Sequence, residues 1–249
     1  MFKSKTKILQ LTVTLTACAF LLVPMILSVL AGVTANYFQG ISSGFTLKWV
    51  YRVLELYADS IFLSLWLAIA CLISTLIIGV PAAYGLARHP GWLSRLLEEF
   101  ISLPLAVPGL ALALALLQLY GSMKGFRVSW TFILVGHVLY TLPFMVRSIL
   151  AVLASMDLKT LEEGAASLGA SPWQRFRDIV VPNAMPGILA GALTVVTLSI
   201  GEFNLTWMLH TPYLKTLPVG LADSYASMRL EIASAYTLIF FVPIVPLLM

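Results

Sequence analysis

The sequence predicts an all-α membrane protein with about six transmembrane helices, and two observations carry that fold class. Of the 249 residues, 60% are hydrophobic and only 10% are charged, whereas a soluble domain needs about a quarter of its residues charged to clothe its surface. The apolar residues are also gathered into runs close to the roughly 20 residues that a helix needs to cross a hydrocarbon core.

Taken in order, residues 8–31 form the first run, preceded by Lys3, Lys5 and Lys7. The run is long and has no clear small-residue cleavage site, so it reads as a retained span rather than a signal peptide. A stretch rich in Gly, Ser and Tyr follows over 32–59. Residues 60–87 are the second span, and 88–99 a charged turn. Residues 100–119 are the third, interrupted by Pro104, Pro108 and Gly109. The fourth covers 129–154, the fifth 183–203, and 233–249 begins the sixth. The expected organisation is an N-terminal span with an outer loop, 1–59, and a five-span body, 60–249. That body carries one long inner loop, 155–182. With the N-terminus inside, the inner loops hold eight Lys and Arg residues and the outer loops six. The lysines abutting the first helix place the N-terminus in the cytoplasm.

Several function classes fall away. The net charge of +4 comes from short loops between apolar runs. It speaks for topology and anionic lipid headgroups rather than nucleic acid. Cys18 and Cys71 both lie in apolar stretches, so neither a disulfide nor a metal framework is expected. His89, His137 and His210 are scattered and supply no catalytic or metal-binding cluster. The run Gly121-Ser122-Met123-Lys124-Gly125 lacks the spacing of a phosphate-binding loop, so ATP chemistry is not expected on this chain.

The loop at 155–182 differs from the others. Asp157 is placed to cap a helix, and Leu158, Leu161, Ala165 and Leu168 recur as one stripe along it. Gly169 falls where a left-handed cap would end the helix. Ser171, Pro172 and Gln174 then open a second short helix with a capping box, whose apolar face is Trp173, Phe176 and Ile179. Interfacial helices lying on lipid usually carry Lys and Arg with large apolar residues. The segment Glu162-Glu163-Gly164-Ala165-Ala166 suits the docking of a protein partner better.

This segment resembles the loop signature of permease subunits of binding-protein-dependent ABC importers, the MetI-like superfamily. That signature is Glu-Ala-Ala, three residues, Gly, nine residues, then Ile-x-Leu-Pro. Here Glu163, Gly164 and Ala165 lead to Gly169, and then to Ile179, Val181 and Pro182. Gly164 replaces an alanine and Val181 a leucine. The resemblance covers roughly residues 60–249 and implies a type I ABC importer permease core behind one N-terminal span. It also implies a division of labour. A second permease subunit, identical or homologous, would complete the translocation path. Two ATP-binding subunits would dock on coupling helices at Leu158, Leu161, Glu162, Glu163, Gly164, Ala165, Leu168, Gly169, Ile179 and Pro182. A solute-binding protein would deliver the cargo. The chain itself would be non-catalytic and hold no cofactor or metal, with ATP and magnesium on the partner. Its place would be the bacterial inner membrane.

Ionisable residues inside spans are functional candidates because burying charge is costly. His137 lies in the outer half of the fourth span, where a hydrogen-bonded helix contact competes with a solute contact. Glu202 comes 20 residues after Pro182, which at 1.5 Å per residue is about 30 Å, the thickness of the core. It is therefore expected at the outer mouth, where recognition of a cationic or zwitterionic solute competes with a gate or helix-packing role, and with Tyr140 and Asn204 it completes the candidate path. The stretches Tyr140–Arg147 and Gly201–Asn204 resemble polyamine (spermidine/putrescine) and 2-aminoethylphosphonate permeases, which implies such a solute. Iron, molybdate and sulfate are the alternatives within the superfamily. A secondary transporter is disfavoured, since no span carries an Asp or Glu at its middle.

Overall fold

In a computed structural model the backbone is described over residues 2–248 and the side chains over 7–247. Met1, Met249 and the side chains of Lys3 and Lys5 lie outside these. The elements are α1 (Phe2–Ala31), a 3₁₀ turn (Gly40–Ser43), α2 (Lys48–Leu56), α3 (Ala58–Arg88), α4 (Trp92–Ala106), α5 (Gly109–Tyr120), α6 (Lys124–Arg127) and α7 (Trp130–Leu153). There follow α8 (Leu158–Ser167), α9 (Pro172–Arg175), a π-turn (Phe176–Val180), α10 (Val181–Gly201), α11 (Asn204–Leu209), α12 (Leu217–Ala226) and α13 (Leu230–Leu248).

Among the described residues, five helical stretches are long and apolar enough to cross a membrane: Lys7–Ala31, Ala58–Arg88, Trp130–Leu153, Pro172–Gly201 and Leu230–Leu247. The pair α4 and α5, bent by 104°, makes a sixth if counted as one span.

Two boundaries differ from the sequence expectation. Residues 92–99 belong to α4, not to a charged turn, because Trp92, Leu93, Leu96 and Leu97 repeat at helical spacing and continue into the apolar run. Pro104 stays inside that helix. The break falls at Val107, which takes an extended backbone (ψ 127°) ahead of Pro108, as the residue before a proline tends to do. The second short helix of the 155–182 loop is likewise not separate. From Pro172 the chain runs through the π-turn into α10 as one 30-residue helical stretch. Pro182 has no amide to donate, and its ring excludes the carbonyl four residues back. The helix widens to π spacing just before it, and Asn183 Nδ2 donates to the Ile179 carbonyl at 2.8 Å.

The chain falls into two compact units, Met1–Ala58 with Gly220–Met249, and Asp59–Val219. The last helix therefore groups with the first, although its sequence position suggested the five-span body. In the first unit, α1 lies against α13 with almost no gap: a Cβ on Gly32 would stand 2.6 Å from the Ser234 backbone. The Tyr37 amide donates to Glu231 Oε1 at 3.0 Å, and Arg229 Nη1 to the Tyr57 hydroxyl at 2.6 Å. Most of the described apolar side chains of α1 are exposed, among them Phe20 and Leu21, as a helix bathed in lipid requires.

The larger unit is built around α7 and α10. Gly187 and Gly191 of α10 face Ser148, Ile149 and Met145 of α7 at distances only glycine permits. Met145, Val146 and Ile149 are buried there with Cys71 and Ala83 of α3 and with Ala184 of α10. A second core joins Leu67, Ala113, Phe132, Ile133, Leu205 and Leu209, from α3, α5, α7 and α11. The first of these cores takes in Leu158 and Val180 and so holds the loop between α7 and α10.

Candidate functional site

Helix α8 is closed at both ends by its own side chains. Asp157 Oδ1 accepts the Thr160 amide at 3.2 Å, and Oδ2 accepts the Thr160 hydroxyl at 2.7 Å. The Thr160 hydroxyl, helped by that amide, holds the Asp157 carboxyl below the usual carboxylate range. The cap is thus complete above that range and is lost only as pH falls through the lowered value, so it is intact at neutral pH. At the other end, Gly169 is left-handed, with φ +86°. Its amide donates to the Ala166 carbonyl at 2.9 Å, and the Ala170 amide to the Ala165 carbonyl at 3.0 Å. This is a Schellman closure. Ser171 and Gln174 then form the expected reciprocal capping box.

The expected docking stripe divides between two faces. Leu158 is buried in the unit's own core beside Ala83 and Leu153, and Glu162 also points inward. Neither belongs to the outward surface, because Leu158 packs into the first core and Glu162 is held by Tyr84 and Arg88 from the end of α3. What remains outward is Leu161, 43% exposed, Leu168, 90% exposed, Gly164 with open space above it, and the half-buried Ala165. Glu163 is exposed and within 3.8 Å of Lys159, one turn earlier. Such a surface pair contributes little and leaves the carboxylate available. Further along, Ile179 is half-buried and Pro182 exposed.

The candidate path residues separate in the same way. Glu202 is not at an open mouth. Its carboxylate lies in the interior, where Oε1 accepts the Leu205 amide at 2.8 Å. Oε2 accepts the Thr206 amide at 2.8 Å and the Thr206 hydroxyl at 2.6 Å. The chain breaks at Glu202 (ψ 122°) and restarts as α11, whose first amides have no helical partner. In apolar surroundings those amides need an internal acceptor, and Glu202 supplies it.

His137 is buried beside it. Nε2 is 2.8 Å from the Thr206 hydroxyl and Nδ1 is 2.8 Å from the Ser199 hydroxyl. Because Thr206 gives its hydrogen to Glu202, it accepts from His137 Nε2–H; Nδ1 then accepts from Ser199. The Thr141 hydroxyl continues the chain to the His137 carbonyl at 2.8 Å and lies 3.2 Å from Cys71 Sγ. A polar ribbon thus ties α3, α7, α10 and α11 together. Tyr140 is half-buried and Asn204 exposed, so of the four candidates these two stay open to a path. Asn204 adjoins the second helix break, since a Cβ on Gly109 would lie 3.5 Å from its own.

Sequence reasoning missed Tyr84 and Arg88, whose side chains hold Glu162. Nothing local in the sequence points to a pairing across 78 residues.

The family model for the binding-protein-dependent transport system inner membrane component matches residues 75–248. PhnV of Salmonella typhimurium, named for a 2-aminoethylphosphonate transport system, is 28% identical over 205 residues, 81% of this chain and 77% of that protein. The spermidine/putrescine transport system permease protein PotC of Escherichia coli K12 is 27% identical over 82% of this chain and 77% of its own. The molybdenum transport system permease protein ModB of Haemophilus influenzae is 32% identical over 59% and 69%. Among solved structures, a bacterial ABC transporter involved in the import of the acidic polysaccharide alginate superposes with a TM-score of 0.75 at 18% identity. That match covers 96% of this chain and 92% of the other. The MetNI methionine ABC transporter gives 0.66 at 16% identity, over 79% and 93%. The chain belongs to the inner-membrane component family of binding-protein-dependent transport systems and is a multi-pass permease subunit of an ABC importer.

Proposed function

We propose that this permease docks its ATPase through α8 and forms its half of the path for a small solute bearing a cationic amine. The observation that carries the docking role is the shape of α8. It is a short helix, capped independently at both ends, with Leu161 and Leu168 uncovered and a glycine between them. A rigid helix with small residues on its outward side admits the close approach of another backbone. Glu163, held only by an exposed lysine, offers a charge to a partner's Arg or Lys. The chain itself performs no hydrolysis; ATP and magnesium belong to the partner, and a binding protein supplies the solute.

An amine-bearing solute is supported by the relatives matched over most of the chain, which are named for 2-aminoethylphosphonate and for spermidine/putrescine transport systems. Glu202 does not serve as its counter-charge, being fully engaged at α11. The open groups near the helix breaks are Asn204 and Tyr140. The test is uptake into proteoliposomes holding the complete complex and its binding protein. Competition by putrescine, spermidine and 2-aminoethylphosphonate is expected, with none by sulfate or molybdate. The reverse pattern would assign the chain to the oxyanion systems that ModB represents.

The proposed orientation has the N-terminus and α8 in the cytoplasm. With Cys18 and Cys71 replaced by alanine, Ser42→Cys is expected to react with an impermeant thiol reagent added outside intact cells. Ser155→Cys is expected to react only once the membrane is opened. The opposite labelling would reverse the topology and remove α8 from the ATPase side.

A further inference from the structure

The docking role of α8 leaves Glu162 unexplained. It stands between the uncovered Leu161 and Glu163, yet its side chain is only 7% exposed. A carboxylate is stable in such a place only when it is paired and hydrogen-bonded. Both partners come from the last turns of α3: Tyr84 donates its hydroxyl to Glu162 Oε1, and Arg88 Nε lies 3.4 Å from Oε2. Arg88 Nη1 in turn donates to the Tyr84 hydroxyl at 3.1 Å, closing a ring of three side chains. The Tyr84 ring also meets Phe176 with centroids 5.2 Å apart, and Phe176 opens the π-turn that leads into α10. One cluster therefore holds α8, the end of α3 and the start of α10, and none of its members lies on the outward face of α8.

We propose that Glu162 is a positioning residue for transport. Through Tyr84 and Arg88 it locks α8 to α3, so that a displacement of α8 is handed to two spans instead of being absorbed in the loop. The proposal rests on α8 being the coupling helix. Leu158 also anchors α8, but an apolar contact lets one surface slide over another. Charge-assisted bonds fix direction as well as distance. A hydrogen-bonded pair that survives movement of the whole cluster is what passes such a displacement on.

The test uses the complete complex, with both permease subunits, the ATPases and the binding protein, in proteoliposomes. Glu162→Gln keeps the side chain's size and an acceptor for Tyr84 while removing the charge opposite Arg88. Tyr84→Phe removes the hydroxyl alone. Leu168→Glu, on the outward face, serves as the docking control. Both Glu162→Gln and Tyr84→Phe are expected to assemble at wild-type yield and to keep basal ATP hydrolysis. Solute carried per ATP hydrolysed is expected to fall about fivefold to tenfold, the range of a modest coupling energy. Leu168→Glu is expected to lose the ATPase itself. If Glu162→Gln and Tyr84→Phe transport as efficiently as wild type while Leu168→Glu loses the ATPase, α8 is the coupling helix and Glu162 is not its positioning residue. If Glu162→Gln fails to assemble, the group serves folding or docking, and the proposal is overturned. If Leu168→Glu assembles and transports normally, the reading of α8 fails, and the role of Glu162 with it.

Discussion

Gly187→Val is expected to yield permease that inserts into the membrane but does not survive extraction as a monodisperse protein. A Cβ at Gly187 would stand 2.6 Å from the Ser148 carbonyl oxygen and 3.0 Å from Ile149 Cα, both backbone atoms of α7 that no rotamer change can move. The remaining solution is to push α7 and α10 apart, which opens the core around Met145, Val146 and Ala184. Overpacking of a core costs about 1–3 kcal/mol, and more where backbone is the obstacle. A cost at or above the top of that range removes much of a domain's margin of stability. Two substitutions calibrate the effect. Gly191→Ala meets first the Met145 sulfur, at 2.8 Å, which is the end of a flexible side chain, so a smaller loss is expected. Gly164→Val has nothing within 4 Å and is expected to leave thermal stability near that of wild type. Thermal unfolding in detergent, followed by size-exclusion chromatography, ranks the three. Equal stability of Gly187→Val and Gly164→Val would mean that α7 and α10 are not packed as described.

The features legible in the sequence were those set by local chemistry. Hydropathy located the spans because lipid demands a run of fixed length. Asp157, Gly169 and the pair Ser171 and Gln174 revealed the ends of α8 and the start of α9, since caps are decided within four residues. Where the sequence reading missed, the deciding partner was distant or the same residue type served two ends. The stripe from Leu158 to Leu168 repeats correctly, but periodicity cannot say which side of it meets the rest of the chain. Glu202 was placed at the outer mouth of the path, with solute recognition and helix packing both open, because an acid near a membrane interface is a functional candidate by default. Yet Leu205 and Thr206, at three and four residues on, stood where a carboxylate satisfies the first amides of a helix. Pro182 was read as a boundary. It lies within a continuous helix because the π-turn before it relieves the clash that would otherwise end it. Tyr84 and Arg88 were invisible, since only folding brings the end of α3 to Glu162.

Gly169→Val is expected to separate insertion from coupling. The obstacle here is not steric contact, for nothing lies within 4 Å of a Cβ built at Gly169. It is the backbone, held at φ +86°, a conformation that costs a residue with a side chain about 1–2 kcal/mol and a β-branched one more. That is enough to undo the Schellman closure and release the carbonyls of Ala165 and Ala166 to water. The last turn of α8 would fray, taking Leu168, the most uncovered of its apolar side chains, out of register with Leu161. Neither of the two cores draws on residues 168–170, so expression and membrane insertion should match wild type. The ATPase should co-purify poorly, or hydrolyse ATP without moving solute. Gly169→Asn provides the graded case, because asparagine tolerates the left-handed region, and should retain most of the uptake that valine abolishes. Glu163→Lys acts on the same surface by charge: it sets two lysines one turn apart with Lys159 and repels a cationic partner. Co-purification of the assembled complex and binding-protein-stimulated ATP hydrolysis, measured beside uptake in proteoliposomes, distinguish these effects. Wild-type assembly and uptake in both Gly169→Val and Glu163→Lys would show that α8 is not where this permease receives the work of ATP.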